Sequence, residues 1–230
     1  MNMSINFLLF GKEMCLNGSI INSWIIVILL SAFSIIVSRK IKNTKIGEKP
    51  SSIVTITEFF VEMIESLVKN TMGEKMVGFA PYIGTISLFL VFANLFGLLG
   101  LEVPTADYSI VLALSMITFV LIHFNSISSN GIKDYLKSFT EPTLIMFPIN
   151  LISEMVIPIA LSFRLFGNMI SGTIIIALVF NALNNISIIT IPFIAPFLNA
   201  YFDVFVGIVQ TFIFVMLTMV FISNKVKRAK

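Results

Sequence analysis

The sequence predicts an all-α polytopic membrane protein, with about five membrane-crossing helices plus one amphipathic surface helix, the last two helices long, tilted and antiparallel. Three observations carry that expectation. The composition is 57% hydrophobic and only 12% charged, with mean hydropathy +0.99, far outside the soluble range. The apolar residues gather into runs long enough to span a bilayer as helices. The basic residues lie in blocks beside those runs, which is how membrane chains mark their cytoplasmic side. The chain, residues 1–230, reads as a single membrane domain.

The first span covers residues 20–38 and is followed at once by RKIKNTKIGEK. That block is expected to be cytoplasmic. Over 51–78 the apolar residues Ile53, Ile56, Phe59, Phe60, Met63, Ile64 and Leu67 fall at helical spacing, opposite Glu58, Glu62, Glu65 and Lys69. Such a helix lies on the membrane or packs on a partner and does not cross. Pro81 opens the second span, 81–100, and the turn LEVPTADYS separates it from the third, 108–127. Asn94 and His123 are isolated polar groups within these spans, and His123 reads as a hydrogen-bonded residue near the inner end. SSNGIKDYLKSFTE is then expected as a polar cytoplasmic loop.

The last two apolar segments, 142–183 and 191–224, are too long for upright helices. At about 1.5 Å per residue, forty residues extend about twice the hydrocarbon thickness of roughly 30 Å. They must tilt or break, and Pro148, Pro158, Pro192 and Pro196 are where bends cost least. Of the fifteen Lys and Arg residues, only Lys12 falls outside and only Arg164 within the membrane. The N-terminus is therefore expected outside and the C-terminus in the cytoplasm.

Composition also excludes whole classes of chemistry. The one cysteine, Cys15, allows no internal disulfide, and no Cys and His cluster could hold a metal. No metal and no cofactor are expected. The net charge of +3 sits in blocks beside apolar runs, which is not a nucleic-acid footprint. The start, MNMSINFLLFGKEMCLNGS, lacks the pattern of a removable signal peptide, so the first helix is expected to be its own insertion signal.

The exception to this separation of charge and apolar surface is Arg164. An arginine stays charged in a protein, and at a bilayer centre it costs about 3 kcal/mol on insertion scales. It is either tied to a carboxylate or backbone carbonyls inside a bundle, or it faces something mobile and negative. With a turn centred near residue 187, the last two helices place Arg164 opposite Gln210, Gly167 opposite Gly207 and Ser171 opposite Asp203. The glycine pair is expected to allow a close helix contact. Ala160, Arg164, Asn168 and Ser171 form one polar stripe, and Asn199, Asp203, Gly207 and Gln210 another. Glu154 lies about 15 Å along the helix on the cytoplasmic side of Arg164, and Asp203 on the outer side. Two acids flanking a fixed cation suit two aqueous half-paths that must not join. The plainer alternative is that both acids satisfy polar groups of the bundle.

LSFRLFGNMISG at 161–172, VGIVQTFIFVMLT around Gln210, and the earlier NLFGLLG and PTADYS together resemble subunit a of the F-type ATP synthase, in its bacterial form. The resemblance covers most of residues 50–224. It implies a stator ion-channel subunit that does no ATP chemistry itself, with no catalytic residues and no phosphate-binding loop. It implies that Arg164 faces the carboxylates of a rotating c-ring, with Gln210 and Asn168 as polar neighbours. Asp203 stands where relatives carry Glu or His in the outer half-channel. The implied partners are the c-ring, the subunit b stalk, the rest of the complex and the lipid bilayer of a cell inner membrane. Two positions depart from the pattern: Thr173 replaces a usual Glu or His, and Ile157 a frequent Lys. The rival reading is a self-contained secondary transporter with Arg164 binding an anionic substrate. Such proteins often carry paired internal repeats, and the sequence has no second arginine-centred copy of 151–176.

Overall fold

The computed structural model describes residues 5–9, 12–43, 51–140, 143–186 and 191–228. Among them, five helical stretches are long and apolar enough to cross a membrane: Gly18–Asn43, Glu74–Leu99, Tyr108–Ser129, Phe147–Asn184 and Ile191–Lys225. The expected all-α, polytopic architecture is present. A short antiparallel hairpin precedes it, β1 (Ile5–Leu9) paired with β2 (Lys12–Leu16) so that Ile5 lies opposite Leu16. Nothing in the sequence reading corresponds to that hairpin.

Helix α1 (Gly18–Asn43) buries only Gly18, Asn22, Ile26 and Val37. Ile26 packs on Ala93 and Phe96, and Asn22 Nδ2 donates to the carbonyl of Glu102 at 2.7 Å. Helix α2 (Ser52–Met72) is shorter than the 51–78 expected. It stops because Gly73 takes φ +94, a conformation glycine reaches without steric cost, and a 3-10 turn over Glu74–Phe79 follows. The helix has two apolar faces. Val54, Ile64, Val68 and Met72 are buried, while Ile53, Ile56, Phe59 and Met63 stay exposed.

Helix α3 (Ala80–Leu95) opens with Pro81 in its first turn, where a missing N–H costs nothing, and a 3-10 turn over Phe96–Leu99 extends it. Helix α4 (Tyr108–Thr140) contains one non-helical residue, Gly131 at φ +83. The stretch expected as a polar loop is therefore helical on both sides of a glycine kink. The returning turn brings the Tyr135 hydroxyl within 3.1 Å of His123 Nδ1.

Helix α5 (Phe147–Ile186) runs as one 40-residue helix through Pro158, so of the two expected ways to fit, tilting or breaking, it does not break. A proline removes one hydrogen bond, but opening the helix in lipid would strand several more. Tilt is then the way for about 60 Å of helix to fit about 30 Å of hydrocarbon. The final element consists of α6 (Ile191–Asn199), a π-helical stretch over Ala200–Val206, and α7 (Gly207–Arg228). Helix α7 is central to the core. Phe214, Met219 and Ile222 pack in one cluster with Ile64 and Val68 of α2, Ile83 and Leu90 of α3, Ile122 of α4, and Leu161 and Leu165 of α5.

Candidate functional site

The π-helical stretch decides where the polar residues of the last helix face. Its longer i→i+5 loops change the phase of the helix, so the stripe Asn199, Asp203, Gly207 and Gln210 does not simply confront α5. Gly207 faces α3 instead: a Cβ there would lie 2.8 Å from Asn94 Cβ, while a Cβ on Gly167 would meet nothing within 4 Å. The expected close contact between Gly167 and Gly207 is thus corrected. Asn94 donates to the Gly207 carbonyl at 3.1 Å, and its Oδ1 accepts from Thr105 Oγ1 at 2.9 Å. This residue, isolated in the sequence, is a buried hub joining three parts of the chain.

Asp203 faces the same helix one turn further on, at Gly97. It also lines a small cavity of about 30 Å³ with Asn168, Thr173, Gly172 and Phe202, enough for a water molecule or two. The structure therefore brings Asn168 and Asp203 together, and places Thr173 with them. It does not pair Ser171 with Asp203. Ser171 is exposed and bonds the Gly167 carbonyl of its own helix. Gly172, one residue on, is the position that meets Phe202, at 3.1 Å for an added Cβ.

Arg164 lies on the exposed face of α5, next to Phe163, whose ring packs 5.4 Å from that of Tyr108. Among the described residues it forms no hydrogen bond and no ion pair. Gln210 is only 8% exposed, its Nε2 donor has no hydrogen-bond partner, and among the described residues its Oε1 accepts nothing from Arg164. The difference in burial follows from the phase change, which turns Gln210 inward. Asn199 is half-buried.

Glu154 sits in a different setting. It is 9% exposed and bonded to Lys225, with His123 Nε2 at 3.9 Å from its second oxygen. Lys225 lies near the C-terminus expected in the cytoplasm, yet it is 7% exposed, and its ammonium lies 4.3 Å from the Phe139 ring centroid and 5.5 Å from that of Tyr135. Burial, and then the charge of Glu154, hold the Tyr135 phenol above its ordinary range. It stays protonated and can donate to His123 Nδ1, which fits the tautomer with the proton on Nε2, facing Glu154. Sequence reading missed this cluster because Lys225 and Glu154 are 71 residues apart.

The family model described as ATP synthase A chain matches residues 20–223, which take in every crossing and both acids. The chain belongs to this family. It is 34% identical over 217 residues to a protein of Albidiferax ferrireducens, covering 94% of this chain and 89% of the relative. It is 33% identical to one of Sulfurihydrogenibium sp., with 88% and 98% covered, and 32% identical to one of Nitrosospira multiformis, with 90% and 79% covered. Each relative is named ATP synthase subunit a. Against the family pattern expected from the sequence, Thr173 is informative. It lines the Asp203 cavity, so an acid or His at that position would put a second titrating group beside the first.

Proposed function

We propose that this chain is the stator ion-channel subunit of an F-type ATP synthase, offering two offset half-paths to the carboxylates of a rotating c-ring. The observation that supports the reading is Arg164, a permanent cation exposed on a membrane-spanning helix with no partner among the described residues. Left to lipid, that charge is costly, and a carboxylate on a neighbouring chain removes the cost. A cation within about 4 to 6 Å favours the ionised carboxylate, so each ring carboxylate gives up its ion on reaching Arg164. It reloads from the other half-path and moves on neutralised. Asp203, with Asn168 beside it, serves the outer half-path. Arg164 separates the two halves by repelling any cation that tries to pass directly. The membrane potential supplies about 2.3 kcal/mol per charge per 100 mV, and the chain itself catalyses nothing. Subunit b and the rest of the complex are its further partners.

Arg164→Ala in the assembled complex is expected to abolish ion-driven ATP synthesis while the chain still co-purifies with the c-ring and the catalytic head. Synthesis at the parent rate would refute the reading. The proposed topology has an external N-terminus and a cytoplasmic C-terminus, supported by the lysine distribution. Cysteines placed at Asn2 and Lys230, in a background lacking Cys15, are expected to label from opposite sides of the membrane, and labelling from one side overturns it.

A further inference from the structure

We propose that Gly97 is a positioning residue for Asp203, its bare Cα covering one face of the carboxylate so that both in-plane edges stay open to the ion. The inference rests on the reading of Asp203 as the acid of the outer half-path. A Cβ added at Gly97 would lie 2.9 Å from Asp203 Cγ, 2.9 Å from Oδ2 and 3.0 Å from Oδ1. A point almost equidistant from all three atoms stands over the face of the carboxylate, because a point beyond either edge is nearer to oxygen than to carbon. Donors approach such oxygens near the plane, along the lone pairs. The face is therefore the side that can be covered without obstructing exchange.

Among the described residues no bond restrains those oxygens: Asp203 has no hydrogen bond and no ion pair, and its cavity neighbours Asn168 and Thr173 do not titrate. A carboxylate that must take up and release an ion gains from being held by packing, since a fixed donor would compete with the ion. The backing is itself held firmly. One turn away, Asn94 bonds the Gly207 carbonyl, and Gly207 has no room for a methyl against Asn94. The α3 end and the start of α7 thus meet at two glycines, and a methyl at position 97 has to displace the carboxylate or part the helices.

The test uses membrane vesicles carrying the whole complex, with passive ion flux read after the catalytic head is stripped. Gly97→Ala is expected to assemble and to lower flux about tenfold or more, as ångström-scale misplacement of a reacting group does. The pH of half-maximal flux should also move. Adding Asp203→Glu should recover much of the flux, since the extra methylene lets the carboxylate clear the new methyl. Parent-like flux in Gly97→Ala, alongside loss of flux in Asp203→Asn, overturns this inference alone. Lowered flux with an unmoved pH midpoint and no recovery by Asp203→Glu also overturns it, because the defect is then one of packing. Parent-like flux in Asp203→Asn overturns the outer half-path and this inference together. If Gly97→Ala fails to assemble, Gly97→Ala/Asp203→Ala decides the matter: assembly supports the clash with the acid, and failure shows that Gly97 serves the backbone instead.

Discussion

At one end of the bundle the Glu154 carboxylate is bonded to Lys225, with His123 beside it and the rings of Tyr135 and Phe139 around the ammonium. Asp203 has no cation and no donor among the described residues, only the bare backbone of Gly97 over one face and a small cavity that it helps to line. Glu154 lies in α5 and Asp203 in the π-helical stretch before α7. The first is closed by a counter-charge, which ties α4, α5 and α7 together. The second is kept open by the omission of a side chain. A carboxylate of the first kind holds helices, and one of the second kind is free to exchange what it binds.

The contrast is tested most severely at Lys225. Lys225→Met strands a buried carboxylate, and breaking such a pair costs about 3–5 kcal/mol. The chain should then be lost from the purified complex on mild heating. Glu154→Gln with Lys225→Met should regain most of that resistance, because a pair removed together leaves no unpaired charge. Asp203→Asn should leave heat resistance at the parent level while stopping flux. Equal heat resistance in Lys225→Met and the parent would end the distinction between a closed acid and an open one. A smaller effect sharpens it: Gly207→Ala, forced against Asn94, should cost roughly 1–3 kcal/mol as overpacking does. Gly167→Ala, which enters open space, should stay within about 0.5 kcal/mol. The same heating assay ranks the two, and an equal loss from both would restore the glycine pairing that the structure replaces.

The spans were legible because their warrant is physical and local. Runs such as 20–38 and 108–127 are apolar over the length a bilayer needs, and Pro81 marks the start of α3 as expected. Arg164 stood out for the same reason, as a charge where charge is costly. What could not be read depends on contacts distant in sequence or on backbone phase. Lys225 looks like one more lysine of a solvated tail until a carboxylate 71 residues earlier is brought beside it. The polar stripes were legible, but their register was not: Asp203 was expected opposite Ser171 and instead shares a cavity with Asn168, Gly172 and Thr173. The turning of Gly207 and Gln210 was not legible either, because stripes drawn with α-helical periodicity fail across the π-helical stretch Ala200–Val206. The dipeptide Asn130-Gly131 signals a turn, and the sequence reading extended that turn into a loop where one glycine suffices.

Arg164 also bears on how the chain is made. Arg164 is exposed on a helix long and apolar enough to span, and a guanidinium left to lipid would be disfavoured by about 3 kcal/mol at insertion, roughly a hundredfold in population. Any neighbour that brings a carboxylate to that face removes the penalty, and by mass action it raises the fraction of chains seated at their proper depth. On the function proposed above, the newly synthesised chain is least settled when alone, and its lifetime as an orphan is linked through one side chain to the supply of a carboxylate-bearing neighbour.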